Sequence, residues 1–122
     1  MNPGTGQEGE KQAGIYLSKL GFSMVRKNWK SRRGEIDLIV RKKEVYYFVE
    51  VKFRKSKGYG SGAEAIHPWK QKRMASAVLD YVQKHQMTNT DIRLAALIVE
   101  EQEKGYSFEF YEFPLDLPNR YY

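Results

Sequence analysis

Apolar positions along this chain recur first at helical spacing, then at strand spacing, and then in that order again. Ala13, Leu17 and Leu20 fall on one face of a helix predicted from Thr5 to about Leu20. Thr5 and Glu8 form a capping-box pair at its start, and Gly21 supplies its stop. Phe22 to Asn28 reads as a strand leading into a basic loop, NWKSRRG. EIDLIVR and EVYYFVEVKF then alternate with period two about a polar turn at Lys42-Lys43, which predicts a hairpin. The glycine-rich RKSKGYGSGAEAI reads as a loop. Pro68 suits the first position of a second helix reaching about Gln86, with Met74, Ala75, Val78, Val82 and His85 as its apolar stripe. IRLAALIV is apolar on both faces, as an interior strand covered on each side would be, and YSFEFYEF alternates like a strand with one wet face. The predicted order is α-β-β-β-α-β-β: one α/β domain over residues 1–122, with 1–6 a flexible amino terminus and 114–122 a tail. The helical connection between the third and fourth strands favours a parallel crossover.

Composition narrows the chemistry. With no cysteine, disulfides, thiolate metal sites and cysteine nucleophiles are excluded. The start, MNPGTGQEGEK, lacks an apolar signal segment, and LAALIV is too short to cross a bilayer, so a cytoplasmic protein without membrane contact is expected. The net charge of +6 is unevenly spread. Arg26 to Arg73 holds 15 basic and 5 acidic residues, a balance of +10, and the remainder has 6 and 10, a balance of −4. A basic middle between mildly acidic ends suits a surface that meets a polyanion, although a solvated basic face gives the same count.

Within the hairpin, Glu50 and Lys52 share one strand face while Val49, Val51 and Phe53 share the other. With the turn at Lys42-Lys43, Asp37 lies diagonal to Glu50; with the turn at Lys43-Glu44, it faces Glu50 directly. Both registers put Asp37, Glu50 and Lys52 on one face, and a one-residue slip would undo it. Two carboxylates this close repel unless a cation sits between them or one is protonated. Lys52 supplies part of that compensation, and a divalent metal such as Mg²⁺, which prefers hard oxygen ligands, would supply all of it. An exposed Glu-Lys pair on a wet face is the bland reading. Glu10, on the edge of the first helix's apolar stripe, and Gln71, within that of the second, bring further polar groups inward near both amino-terminal ends.

GEIDLIV followed by FVEVKFR, with Glu10 upstream on a helix, resembles the PD-(D/E)XK nuclease superfamily. Twelve residues separate Asp37 from Glu50-Val51-Lys52, which fits that superfamily's metal motif. Within it, NWKSRRGEIDLI, VEVKFR and KQKRMASAVLDYV make the chain similar to the YraN-like family from about Gly9 to Phe113. The resemblance implies a restriction-endonuclease-like domain with a mixed central sheet flanked by helices, close to archaeal Holliday-junction resolvases. It implies cleavage of DNA with Mg²⁺ or Mn²⁺, with branched or flapped structures among the candidate substrates. Asp37, Glu50 and the Val51 carbonyl would hold the metal, Lys52 would steady the water and the phosphate, and Glu10 would assist through water. Two departures stand out: Ile36 replaces the motif's proline, and Ala75 stands where a tyrosine would follow Gln71. Similar resolvases act as two-fold dimers, which makes a homodimer conceivable here.

On this reading Lys30, Arg32, Arg33, Arg54, Lys55, Lys57, Lys70 and Gln71 would bind nucleic acid, mostly through phosphates. Trp29, Tyr59 and Trp69 are candidates to stack on bases, with ordinary packing the blander assignment for each. The loop Gly58–Gly62 could admit a bent or branched strand. Its glycines match a dinucleotide-binding pattern weakly, because the helix begins too late. His67 and His85 lack metal-ligand spacing, and His85 reads as a packed histidine. The alternative function is a non-catalytic nucleic-acid-binding or partner-binding module that keeps the nuclease fold.

Overall fold

The computed structural model describes residues 3–55 and 68–113, apart from the side chains of residues 3–6, 68 and 69. Lys57, Gly58–Gly62 with Tyr59, His67, the Trp69 side chain and the 114–122 tail, all assigned above, lie outside the described residues. The elements are α1 (Pro3–Lys19), β1 (Ser23–Ser31), β2 (Gly34–Lys42), β3 (Val45–Arg54), α2 (Pro68–Lys84), β4 (Asp91–Gln102) and β5 (Gly105–Phe113). Their order is the predicted α-β-β-β-α-β-β. One five-stranded sheet runs β1-β2-β3-β4-β5, with β3 and β4 parallel and every other pair antiparallel.

Each helix covers one face of the sheet. On the α2 side, Met74, Val78 and Tyr81 pack on Trp29, Ile36, Ile39, Phe48 and Leu94. Tyr81 meets Trp29 and Phe48 edge-on, with ring centroids 5.2 and 5.5 Å apart. On the α1 side, Ala13 and Leu17 pack on Leu38, Val40, Val49, Leu97 and Val99. Leu94 to Val99 of β4 are all buried, as an interior strand covered on both faces requires. No helix among the described residues is long and apolar enough to cross a membrane.

Several local features differ from the sequence reading. The first helix starts at Pro3, ahead of Thr5, because proline's missing N–H costs nothing in a first turn. Leu20 is exposed just past the end of α1, and Gly9 takes the next buried place along the stripe. A Cβ on Gly9 would lie 2.8 Å from Phe53 Cβ, so glycine permits the close approach that seats the start of α1 over β3. NWKS is not loop: β1 continues through Ser31, because Trp29 is a core residue, and only Arg32 and Arg33 make the turn. The β2–β3 turn is Lys43-Glu44, since Lys42 pairs with Val45 and Lys43 takes the left-handed φ of 56°. His85 lies beyond α2 and is exposed; its Nδ1 is 3.0 Å from the Tyr81 carbonyl oxygen, and its ring stacks on Tyr81.

Candidate active site

The site forms where β2 and β3 part. Their ladder runs from Lys42↔Val45 to Leu38↔Val49 and stops there. One step further Asp37 would face Glu50, but its carboxylate turns into the gap, where Oδ2 accepts the Val51 N–H at 2.8 Å. Strict alternation fails at the same point. Ile36 and Ile39 pack on the α2 side, whereas Leu38 and Val40 pack on the α1 side. Across β2, Lys27 pairs with Leu38 and Trp29 with Ile36, so Asn28 and Asp37 are the residues skipped between them. Asn28 has a φ of 53°, a left-handed conformation that asparagine tolerates better than most residues. The kink turns Trp29 inward and leaves Asp37 between the strands. Asp37 thus comes near Glu50 as expected, but from between the strands, not from their shared face.

Glu50 and Lys52 stay on the α2 side of β3. Lys70, from the first turn of α2, places its Nζ 3.7 Å from Glu50 Oε1 and its amine beside that of Lys52. Gly34 makes this possible: a Cβ there would lie 2.7 Å from the Arg73 carbonyl oxygen, so any larger residue would push α2 away. Glu35, Glu50, Lys70, Arg73 and Met74 line a small cavity of about 100 Å³ between α2 and the sheet. Gln71 is half-buried at the same end of the helix.

The electrostatics follow from this crowding. Burial pushes the Asp37 carboxyl up to about 6, the Val51 N–H opposes the rise, and the charges of Glu10, Glu50 and Glu35 add to it. Glu10 therefore acts on Asp37 from α1 while Glu50 does so from β3. Contact with the Lys70 amine, followed by burial, holds Lys52 below the usual lysine range, with Glu50 and Asp37 pulling the other way.

The donor set can be tested against a metal. Among the described residues no group of three or more Asp, Glu or His side chains is gathered as an ion-binding cluster. What the site offers is two carboxylates, Asp37 in the gap and Glu50 on the α2 side of β3, and the main chain of Val51. That set suits Mg²⁺, which keeps several waters and takes only one or two protein carboxylates. It would not suit an ion that demands a full protein cage.

The basic residues separate into two groups. Lys70 is at the acidic cluster, whereas Lys30, Arg32 and Arg33 flank a second, larger cleft. Arg33 holds Asp80 of α2 through Nε and Nη2, the shorter contact being 2.6 Å. Arg54 is half-buried near the end of β3, and Lys55 is exposed just beyond it. Trp29 is buried against Tyr81 and cannot stack on bases. Sequence reading missed Glu35 and Arg73. The parity of Glu35 with Asp37 was visible in GEID, whereas Arg73 has no signal until α2 is docked.

The fold and site thus define an α/β domain with a half-buried carboxylate and two lysines at a split in its sheet. The chain belongs to the uncharacterised protein family UPF0102, whose model matches residues 9–99. It is similar to a UPF0102 protein of Neisseria meningitidis, 37% identical over 100 residues covering 82% of this chain and 87% of that one. A UPF0102 protein of Alkaliphilus metalliredigens is 35% identical over 106 residues, covering 85% and 93%. One from Alkalilimnicola ehrlichii is 43% identical over 84 residues, covering 69% and 67%.

Proposed function

We propose that this protein is a divalent-metal-dependent nuclease of the PD-(D/E)XK kind that hydrolyses phosphodiester bonds in DNA. The observation that carries the reading is Asp37: a half-buried carboxylate held in a strand gap by the Val51 N–H, with Glu50 and Lys52 beside it. A fold places charge at such cost more readily for function than for stability. Asp37, Glu50 and the Val51 carbonyl would hold Mg²⁺ or Mn²⁺. When bound, the ion supplies Lewis-acid polarisation of the phosphate and a more acidic water. Glu10 would orient water from the α1 side. Lys52, shifted toward its neutral form, can take the proton as the water oxygen bonds to phosphorus and the ester oxygen leaves. Lys70 and Gln71 would then face the phosphate from α2. Cleavage of a two-fold junction would use two copies of the chain.

The test is calorimetric titration of the protein with Mn²⁺ and Mg²⁺, parent against Asp37→Asn, followed by a cleavage screen of linear, flapped and four-way DNA. Binding by the parent that vanishes in the variant supports the reading. Absence of binding with DNA present overturns it. One observation favours a second reading, a non-catalytic nucleic-acid-binding module: Lys70 already compensates Glu50 at 3.7 Å. Such a module would bind DNA with no ion dependence.

A further inference from the structure

A concave surface larger than the cavity at Glu50 lies between the β1–β2 turn and the carboxyl-terminal half of α2. It encloses about 790 Å³. Its cations come from three elements: Lys30 from β1, Arg32 and Arg33 from the turn, and Lys84 from the last turn of α2. Among the described residues the one carboxylate lining it is Asp80, which Arg33 grips through two nitrogens. Four positive charges against one give these described residues a balance of +3, and a concave wall focuses that field more than a flat face would. The floor is rigid, because Trp29 is buried edge-on against Tyr81. The Arg33–Asp80 fork ties the turn to the helix, so the two walls of the cleft are joined before any ligand arrives.

We infer that this cleft is a second nucleic-acid contact, in which Lys30 and Lys84 grip the phosphate backbone of the duplex flanking the cut. This rests on the nuclease reading for what the backbone belongs to, but not for the cleft itself. Lys70 marks the acidic site and Lys84 the cleft, at opposite ends of one helix. Fourteen residues along α2 separate them by about 21 Å at 1.5 Å per residue. That is roughly six base pairs at about 3.4 Å each. The substrate is therefore a duplex arm extending at least that far from the scissile bond, and an isolated nucleotide or a few-residue end is excluded.

Binding of the full-length chain to hairpin duplexes of about five and about sixteen base pairs, in EDTA across a salt series, tests the inference. The double variant Lys30→Ala/Lys84→Ala should lower the slope of log K against log salt on the longer duplex by about 2, near 0.9 per phosphate lost. On the short duplex, which cannot span both sites, that difference should shrink. Circular dichroism checks that the variant is folded; a charge-preserving Lys84→Arg/Lys30→Arg pair should restore the slope and keeps the test valid if it is not. An unchanged slope in the folded alanine variant overturns the cleft as a DNA contact, and an equal loss on both duplexes overturns the claim that one duplex spans both sites. Mn²⁺ calorimetry on the same variant keeps the two ideas apart. Parent-like ion binding with a reduced slope supports both, and no ion binding in parent or variant with a reduced slope leaves the cleft standing while the nuclease reading falls.

Discussion

At Asp37 the proposed metal-binding role and stability pull against each other. Its folded value of about 6 lies above the 3.8 of an ordinary aspartate, because ionisation inside the gap is penalised by burial and by three neighbouring carboxylates. The sign follows from linkage: the folded state binds the proton more tightly, so stability falls as pH rises from about 4 to about 6 and stays reduced above that. Two pKa units correspond to at most about 3 kcal/mol. Asp37→Asn keeps an amide oxygen to accept the Val51 N–H and carries no charge. In metal-free buffer the variant should therefore be more stable than the parent at pH 8, by about 1–3 kcal/mol, and equal to it below pH 4. Denaturant melts at the two pH values check this, and a variant less stable at pH 8 would mean that the carboxylate is structurally favourable. Lys52 carries the complementary expectation. Lys52→Ala should slow single-turnover cleavage by about a hundredfold or more, within the range of general-base effects, while changing DNA affinity much less. Equal losses in both would make Lys52 a phosphate anchor.

At the scale of elements, the strand and helix periods made most of the fold legible. The seven-element order, the parallel β3–β4 pair and the wet face of β5 all follow from spacing and connection length. What spacing could not convey was the break in alternation at Asp37 and Asn28. Period two presumes a regular ladder, and here a left-handed residue in β1 faces a strand splitting away from its neighbour. Asn28 simply reads as the end of a strand, which is why NWKSRRG was expected to be loop. Nor could pattern alone show that Lys70 reaches Glu50, since that contact depends on how closely Gly34 lets α2 settle on β2. Asn28 offers a direct test of the split. Asn28→Gly, which adopts a φ of 53° without strain, should leave stability within about 1 kcal/mol of the parent. Asn28→Val, whose branched side chain disfavours that region, should cost about 1–2 kcal/mol or more and weaken Mn²⁺ binding, because the gap holding Asp37 would close or shift. Equal stability and ion affinity in the two variants would show that the kink is set elsewhere.

Over the whole molecule, the two helices pack on opposite faces of one sheet, and both reach the split from their amino-terminal ends. Glu10 acts on Asp37 from one face, and Lys70 reaches Glu50 from the other. Gly9 and Gly34 set how closely each helix can approach. An ion bound in the gap would therefore be coupled to both core layers, because separating either helix or unpairing β2 from β3 would disperse its ligands. A ligand that binds only the folded state stabilises it by RT ln(1 + [L]/Kd), or about 2.7 kcal/mol at a hundredfold excess over Kd. That is close to the ionisation cost of Asp37, so the ion should return the parent roughly to the stability of Asp37→Asn. For a domain of this size each kcal/mol is worth about 3–6 °C, which predicts a rise in Tm on the order of 10 °C for the parent at pH 8. Asp37→Asn should show little of that rise, and the parent should show little at pH 4.5, where the carboxyl is mostly protonated. The contrast between the two pH values is the discriminating part. Non-specific screening of the basic surface by a divalent salt would raise or lower Tm similarly in both proteins. An ion held by Asp37 must lose its effect as the proton takes its place.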